Sequence, residues 1–170
     1  MTGGVRRRAV SALLCLVVGG SAGCSSFSDP SPPTGVDLLT IPTPSPKADD
    51  FVDVVDNPWF ALDPVPGPEV LGIATTARTE GDVTDYFAQD TRGNVWWFGR
   101  ADVWLAGADG AEAGLMMAAN PRVGDGYRTA SGIGGDPRAT VLVVTDDEVV
   151  LELVGSDGSV DERAFRRSAA

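Results

Sequence analysis

Residues 83–100, VTDYFAQDTRGNVWWFGR, constrain the fold more than any other stretch, because two runs of aromatic and β-branched residues flank Asp90-Thr91-Arg92-Gly93-Asn94. Aromatic and β-branched side chains suit the pleated surface of a strand, and Asp, Gly and Asn supply the chemistry that reverses it. Asp90 is placed to close an Asx-type turn with its carboxylate, while Gly93 and Asn94 tolerate the positive φ of a tight reversal. The spacing predicts a β-hairpin. Period-two alternation puts Tyr86 and Ala88 on one face of the first strand, with Phe87 and Gln89 on the other. On the second strand, Trp96 and Phe98 oppose Val95 and Trp97. Both faces are therefore aromatic, so the hairpin must be covered on both sides or present one aromatic face as a binding surface.

Flanking sequence extends the pattern. DVWL at 102–105 is expected as a third strand of a meander, closed by Gly107-Ala108-Asp109-Gly110, with Trp104 packing inward. Residues 139–165 read as two hairpins in series, turning at Asp146-Asp147 and at Ser156-Asp157-Gly158. Glu152 alternates there with Leu151 and Leu153, as in a sheet half facing solvent. Residues 111–128 are expected as a loop-rich crossover whose Met116 and Met117 fill gaps in a core, followed by a mobile SGIGGDP segment. Pro64, Pro66 and Pro68 argue against a central strand in their region. No segment after residue 50 sustains a 3.6-residue period. The expected fold is mainly β: a small antiparallel sheet of hairpins, a meander forming a partly open barrel or a cupped sheet.

The amino-terminal part carries an address. Arg6, Arg7 and Arg8 precede an apolar run of about ten residues, too short to span a bilayer and matching a secretory h-region. Gly19-Gly20-Ser21-Ala22-Gly23-Cys24 then places small residues ahead of a cysteine, as in a lipobox, although Ser21 stands where Leu is usual. Residues 1–23 are thus expected to be a lipoprotein signal peptide, with Cys24 the lipid anchor at the cell membrane, on its extracytoplasmic side. Adjacent Arg7 and Arg8 leave both the general secretory and the twin-arginine routes open. Residues 24–50 are rich in Ser and Pro and read as a tether: 26 residues after Cys24, at about 3.1 Å each, reach roughly 80 Å. An alternative docks the apolar island at 36–41 onto the domain as an edge strand. The β-rich domain is expected over 51–170.

Composition excludes several classes of activity. His is absent, Lys47 is the only lysine, Cys15 leaves with the leader and Cys24 is taken by lipid. Triads of the usual hydrolase kinds, thiol redox chemistry, disulfides and typical zinc sites are therefore excluded. The mature chain carries 10 basic and 24 acidic residues, a charge of −14 that opposes contact with nucleic acid and anionic head groups.

DYFAQDTRGNVWWFG, together with NPWFALDP at 57–64 and GLMMAANPRVGDGYR at 114–128, resembles an uncharacterised family of bacterial secreted proteins and lipoproteins. That family's pattern runs NPYFPL, then DWYAQDxxGNVWYFG, then GxxMPANPxxGxxY. The resemblance implies an extracytoplasmic β-rich domain and carries no established activity with it. Between Asp63 and Val83 this chain is shorter than the family pattern, and the usual Gly-rich closing strand is not recognisable after Phe165. The resemblance therefore also implies an incomplete sheet, with edges left to be covered.

Candidate chemistry follows from aromatic and acidic residues. Tyr86, Phe87, Trp96, Trp97 and Trp104 are either a stacking platform for a ligand or the large core residues of a chain poor in Phe and Leu. Asp49, Asp50, Asp53 and Asp56, and Asp157, Asp161 and Glu162, cluster in sequence without EF-hand spacing. No metal and no cofactor are expected. Asp85 with Asp90 is the carboxylate pair that a hydrolase would need, although a turn cap is the simpler role for Asp90. The expectation is a membrane-anchored, non-enzymatic envelope lipoprotein whose β-domain binds a small ligand or an envelope protein. The alternatives are a carboxylate-dependent envelope hydrolase and a structural lipoprotein without a ligand.

Overall fold

The computed structural model describes residues 47–135 and 137–168; the leader, Cys24, the tether before Lys47 and the 36–41 island lie outside them. Among the described residues there is no α-helix, and the fold is mainly antiparallel β, as the hairpin spacing predicts. A short 3₁₀ turn, Ala48–Asp50, leads into β1 (Phe51–Val52). The expected hairpin is present as β4 (Val83–Asp90) and β5 (Val95–Arg100), with Gln89 opposite Val95, Ala88 opposite Trp96 and Phe87 opposite Trp97. Ahead of it, β2 (Pro66–Val70) and β3 (Ile73–Glu80) are joined by Leu71 and Gly72, with φ of 55° and 76°. Two successive positive φ values give the primed two-residue turn whose twist matches that of its strands.

One sheet runs β2-β3-β4-β5-β7-β9, with β1 paired to the end of β4 and β6 (Trp104–Leu105) to the end of β5. β7 (Glu112–Met117) overturns the expected crossover at this point. Ala, Gly and Met have weak strand preference. Non-local pairing decides the matter: Met117 faces Val95, Leu115 faces Trp96 and Gly114 faces Trp97. The three prolines behave as expected, since β2 is the outermost strand and Pro66 and Pro68 sit where few ladder donors are needed.

The second sheet runs β12-β11-β10-β8, from β10 (Arg138–Val144), β11 (Glu148–Val154) and β12 (Val160–Arg166), the expected hairpins in series, plus β8 (Gly126–Arg128). Only Thr129 separates β8 from β9 (Ala130–Ser131), which pairs with β7 in the first sheet. The segment thus changes sheets within six residues, making a corner of the kind that joins packed layers. Gly114 permits the close approach: a Cβ there would lie 2.4 Å from the Thr129 carbonyl carbon and 2.5 Å from the Arg128 oxygen.

The two sheets share one core without closing into a barrel. Phe60 joins them, with its ring 4.9 Å from Phe87 of β4 and 5.5 Å from Phe165 of β12. Val95, Phe98, Met117, Val149 and Leu151 are fully buried. The aromatic hairpin is therefore covered on both faces, Phe87 packing towards the second sheet and Phe98 meeting Phe51 edge-on at 5.3 Å.

The turn end of the hairpin is held by a polar network. Asp90 accepts hydrogen bonds from the Arg92 and Asn94 amides, each at 2.9 Å, from the Asn94 side chain at 2.9 Å and from Trp96 Nε1 at 3.0 Å, the turn-cap role its position predicts. Gln89 Oε1 accepts from the Asp56 and Asn57 amides at 3.0 and 2.7 Å. Asn57 donates to the Gly93 and Ala118 carbonyls at 2.8 and 3.3 Å and accepts from the Trp59 amide at 2.8 Å. Asn94 Oδ1 accepts from the Ala119 amide at 2.9 Å. Asn57, Gln89 and Asn94, polar residues of two of the motifs, thus bind those motifs to each other and to the Ala118–Ala119 backbone of the third.

Candidate functional site

At the other end of the hairpin, between the two sheets, lies a cleft of about 360 Å3. Phe60, Phe87, Trp97 and Met116 line it from the first sheet's side, and Leu153 and Val154 from the second. Arg78, Glu80, Asp85, Arg100 and Arg163 add charge to these apolar walls. Cross-strand register builds much of this. Asp85 stands opposite Arg100, and Phe87 opposite Trp97, so the four side chains share the open end of one hairpin.

Asp85 fixes two of its neighbours. Its oxygens accept from Arg100 Nε at 2.8 Å and from a terminal Arg100 nitrogen at 3.1 Å, and Oδ1 also accepts from Trp97 Nε1 at 3.1 Å. The hydrogen bond to Asp85 raises Arg100 above the usual guanidinium range, against the opposing effect of partial burial. The Arg100 guanidinium lies 5.3 Å from the Trp97 ring centre, and Trp104 meets Trp97 edge-on at 4.9 Å. The indole of Trp97 is thereby held in one pose with part of its surface open.

Glu80, at the end of β3, accepts from Arg78 of its own strand and from Arg163 of β12 at 3.2 Å, so one carboxylate bridges the sheets. Arg78 also lies over the Phe60 ring, 5.3 Å from its centre. A second cleft of about 300 Å3 adjoins the first and shares Trp97, Arg100, Ile133 and Ser156 with it. Ile133 belongs to the segment expected to be mobile, and two glycines of that exposed loop approach other backbone closely. A Cβ on Gly132 would lie 2.1 Å from the Gly110 oxygen, and one on Gly135 would lie 1.9 Å from the Ser156 oxygen. Gly132 and Gly135 thus permit close backbone contact, whereas Gly134 faces open space; Asp136 lies outside the described residues.

The five aromatic candidates separate. Trp97 and Trp104 are half-buried and line the clefts, and Phe87, only 4% exposed, also lines the first. Trp96 is 9% exposed and lies on the opposite face, tied to Asp90, so it is a core residue and not part of this cleft. Tyr86 is half-buried beside Gly67 of the edge strand and lines neither cleft. Sequence reasoning missed Phe60, Arg78, Glu80, Leu153 and Arg163. They come from four separate segments that only the sheet-to-sheet packing brings together; Phe60 lies within the 57–64 motif, and no local motif marks the other four.

Asp85 and Asp90 stand five residues apart on one strand, about 16 Å at the usual rise per residue, beyond the spacing of a glycosidase pair. Asp157 caps its own turn, and hydrogen bonds from Ser159 hold its carboxyl below the usual carboxylate range. Asp56 accepts from Gln89 Nε2 at 2.6 Å. Among the described residues, no three His, Cys, Asp or Glu side chains are gathered as a metal site, and no helix is long and apolar enough to cross a membrane. Compared with models of protein families, with characterised proteins and with solved structures, the chain matches none.

Proposed function

We propose that the protein is a non-enzymatic ligand-binding module of the cell envelope, anchored by lipid on Cys24, that holds a small molecule with a flat apolar body in the cleft between its sheets. The observation that carries this reading is Trp97: a large aromatic ring oriented by Asp85 and Arg100 and left partly open beside a cleft that Phe60, Phe87 and Leu153 also line. Core packing alone does not require an indole to be gripped by an ion pair, whereas a stacking surface works best when its pose is set before the ligand arrives. Asp85 has both oxygens engaged and Asp90 caps a turn, so the carboxylates of the hairpin support geometry rather than bond cleavage. The net acidity keeps such a module off anionic head groups while the tether holds it near the membrane.

The test uses the full chain and two naphthalenes of one shape, the neutral 2-naphthamide and the anionic 2-naphthoate, followed by calorimetry and by the Trp97 indole N–H signal. At least one is expected to bind and to move that signal, and Trp97→Ala is expected to lower its affinity tenfold or more. Absence of binding by both, or undiminished affinity in W97A, rejects the reading.

A further inference from the structure

We propose that the cleft recognises an oxyanion on its ligand, a carboxylate or phosphate, between Arg78 and Arg163, and that Glu80 occupies this anion position in the ligand-free protein. The inference deepens the reading of the cleft as a ligand site and rests on it.

Charge distribution comes first. The chain is acidic overall, with a formal charge of −11, yet four of the nine arginines among the described residues line this one cleft. The carboxylates beside them are unequally committed. Asp85 gives both oxygens to Arg100. Asp157 turns one oxygen to the Ser159 amide and hydroxyl at 2.9 and 2.6 Å, and so serves its own turn. Glu80 is left as the shared counter-ion of two guanidiniums, one oxygen to Arg78 and the other to Arg163. Two positive charges from different sheets meet one negative charge, leaving a local excess of one positive charge at the cleft.

Donor geometry points the same way. A guanidinium presents five N–H groups in a fork that matches a carboxylate or phosphate through two parallel bonds. Arg100 is used in that manner by Asp85, whereas Arg78 and Arg163 each meet Glu80 through a single nitrogen. Glu80 is also easily displaced. Its side chain is 50% exposed, it sits beside the β3–β4 turn, and exposed ion pairs of this kind contribute little to stability. The Arg78 guanidinium lies over Phe60, which lines the cleft together with Phe87 and Trp97, so an anion held by the two arginines stands beside these aromatic walls.

A purely structural bridge and an anion site respond oppositely to loss of Glu80. If the bridge only ties the sheets, Glu80→Gln loosens the cleft and weakens every ligand. If Glu80 competes for the anion position, E80Q strengthens anions alone. In the full chain, 2-naphthoate is expected to bind at least tenfold more tightly than 2-naphthamide, with E80Q raising naphthoate affinity about fivefold and leaving naphthamide unchanged. Arg163→Gln is expected to close most of the gap between the two probes, with the melting temperature of each variant measured alongside. Equal affinity for the two naphthalenes, or naphthoate affinity unchanged or lower in E80Q, overturns the anion site while leaving the cleft as a ligand site. Failure of both probes to bind overturns the two readings together.

Discussion

Replacing Asn57 with alanine tests the network that binds the motifs together. Asn57 is 2% exposed, and its side chain makes three hydrogen bonds, two donated to the Gly93 and Ala118 carbonyls and one accepted from the Trp59 amide. Alanine removes all three at once without opening a route for water to replace them. At about 1 kcal/mol of net stability for each hydrogen bond, the loss is about 3 kcal/mol. A domain of roughly 120 ordered residues unfolds with an entropy near 0.25 kcal/mol/K, so the melting temperature should fall by about 12 °C. Differential scanning calorimetry of the full chain measures this directly. Gln89→Ala removes the acceptor of the Asp56 and Asn57 amides on the same turn, so the double variant should lose less than the sum of the singles. Naphthoate affinity, measured well below the transition, should stay near wild type, because the cleft lies at the opposite end of the hairpin. A fall of less than about 3 °C in N57A, or strict additivity with Q89A, would refute the claim that these residues act as one network.

Gly114→Ala should destabilise the domain by about 1–3 kcal/mol or more, seen as a lower denaturation midpoint, because the added carbon meets the backbone of 128–129 rather than a movable side chain. Tyr127 is buried, and its hydroxyl faces the Ala118 backbone without meeting it in hydrogen-bonding geometry, although that contact would favour the ionised form; burial is the larger influence and pushes the phenol above the usual tyrosine range. With the folded pKa raised, the neutral form belongs to the folded state, so stability should be full below the unfolded tyrosine value near 10 and decline as pH rises past it. Tyr127→Phe should remove that alkaline decline and raise stability by about 1 kcal/mol at neutral pH, as measured by urea unfolding at several pH values.

Legibility followed the range of the interactions. The β4–β5 hairpin, the Asp90 turn cap, the serial hairpins after residue 138 and the edge position of Pro66 and Pro68 rest on local turn chemistry and alternation, and all are present. β7 was hidden because Ala113, Gly114 and Met116 carry no strand signal of their own and become extended through pairing with β5. The close backbone approaches of Gly132 and Gly135 were not legible, because glycine looks the same in sequence whether it gives freedom or permits close contact. At the cleft, Phe87, Trp97 and Trp104 were visible as large aromatics, and alternation put Trp96 and Trp97 on opposite faces of β5, but it did not say which face borders the cleft, since that depends on the neighbours each face meets. Glu80 with Arg163 was invisible, since these residues stand 83 positions apart in the chain and their meeting depends on how the two sheets are laid together.

The passage of residues 126–131 from one sheet to the other bears on how the domain comes apart. Neither layer can peel away while β8 stays zipped to β10 and β9 to β7, so partial melting of a single layer finds no cheap route. Heat or denaturant should therefore meet one all-or-none transition, with the slowest-exchanging amides shared between both layers around this crossing rather than sorted into an early and a late half.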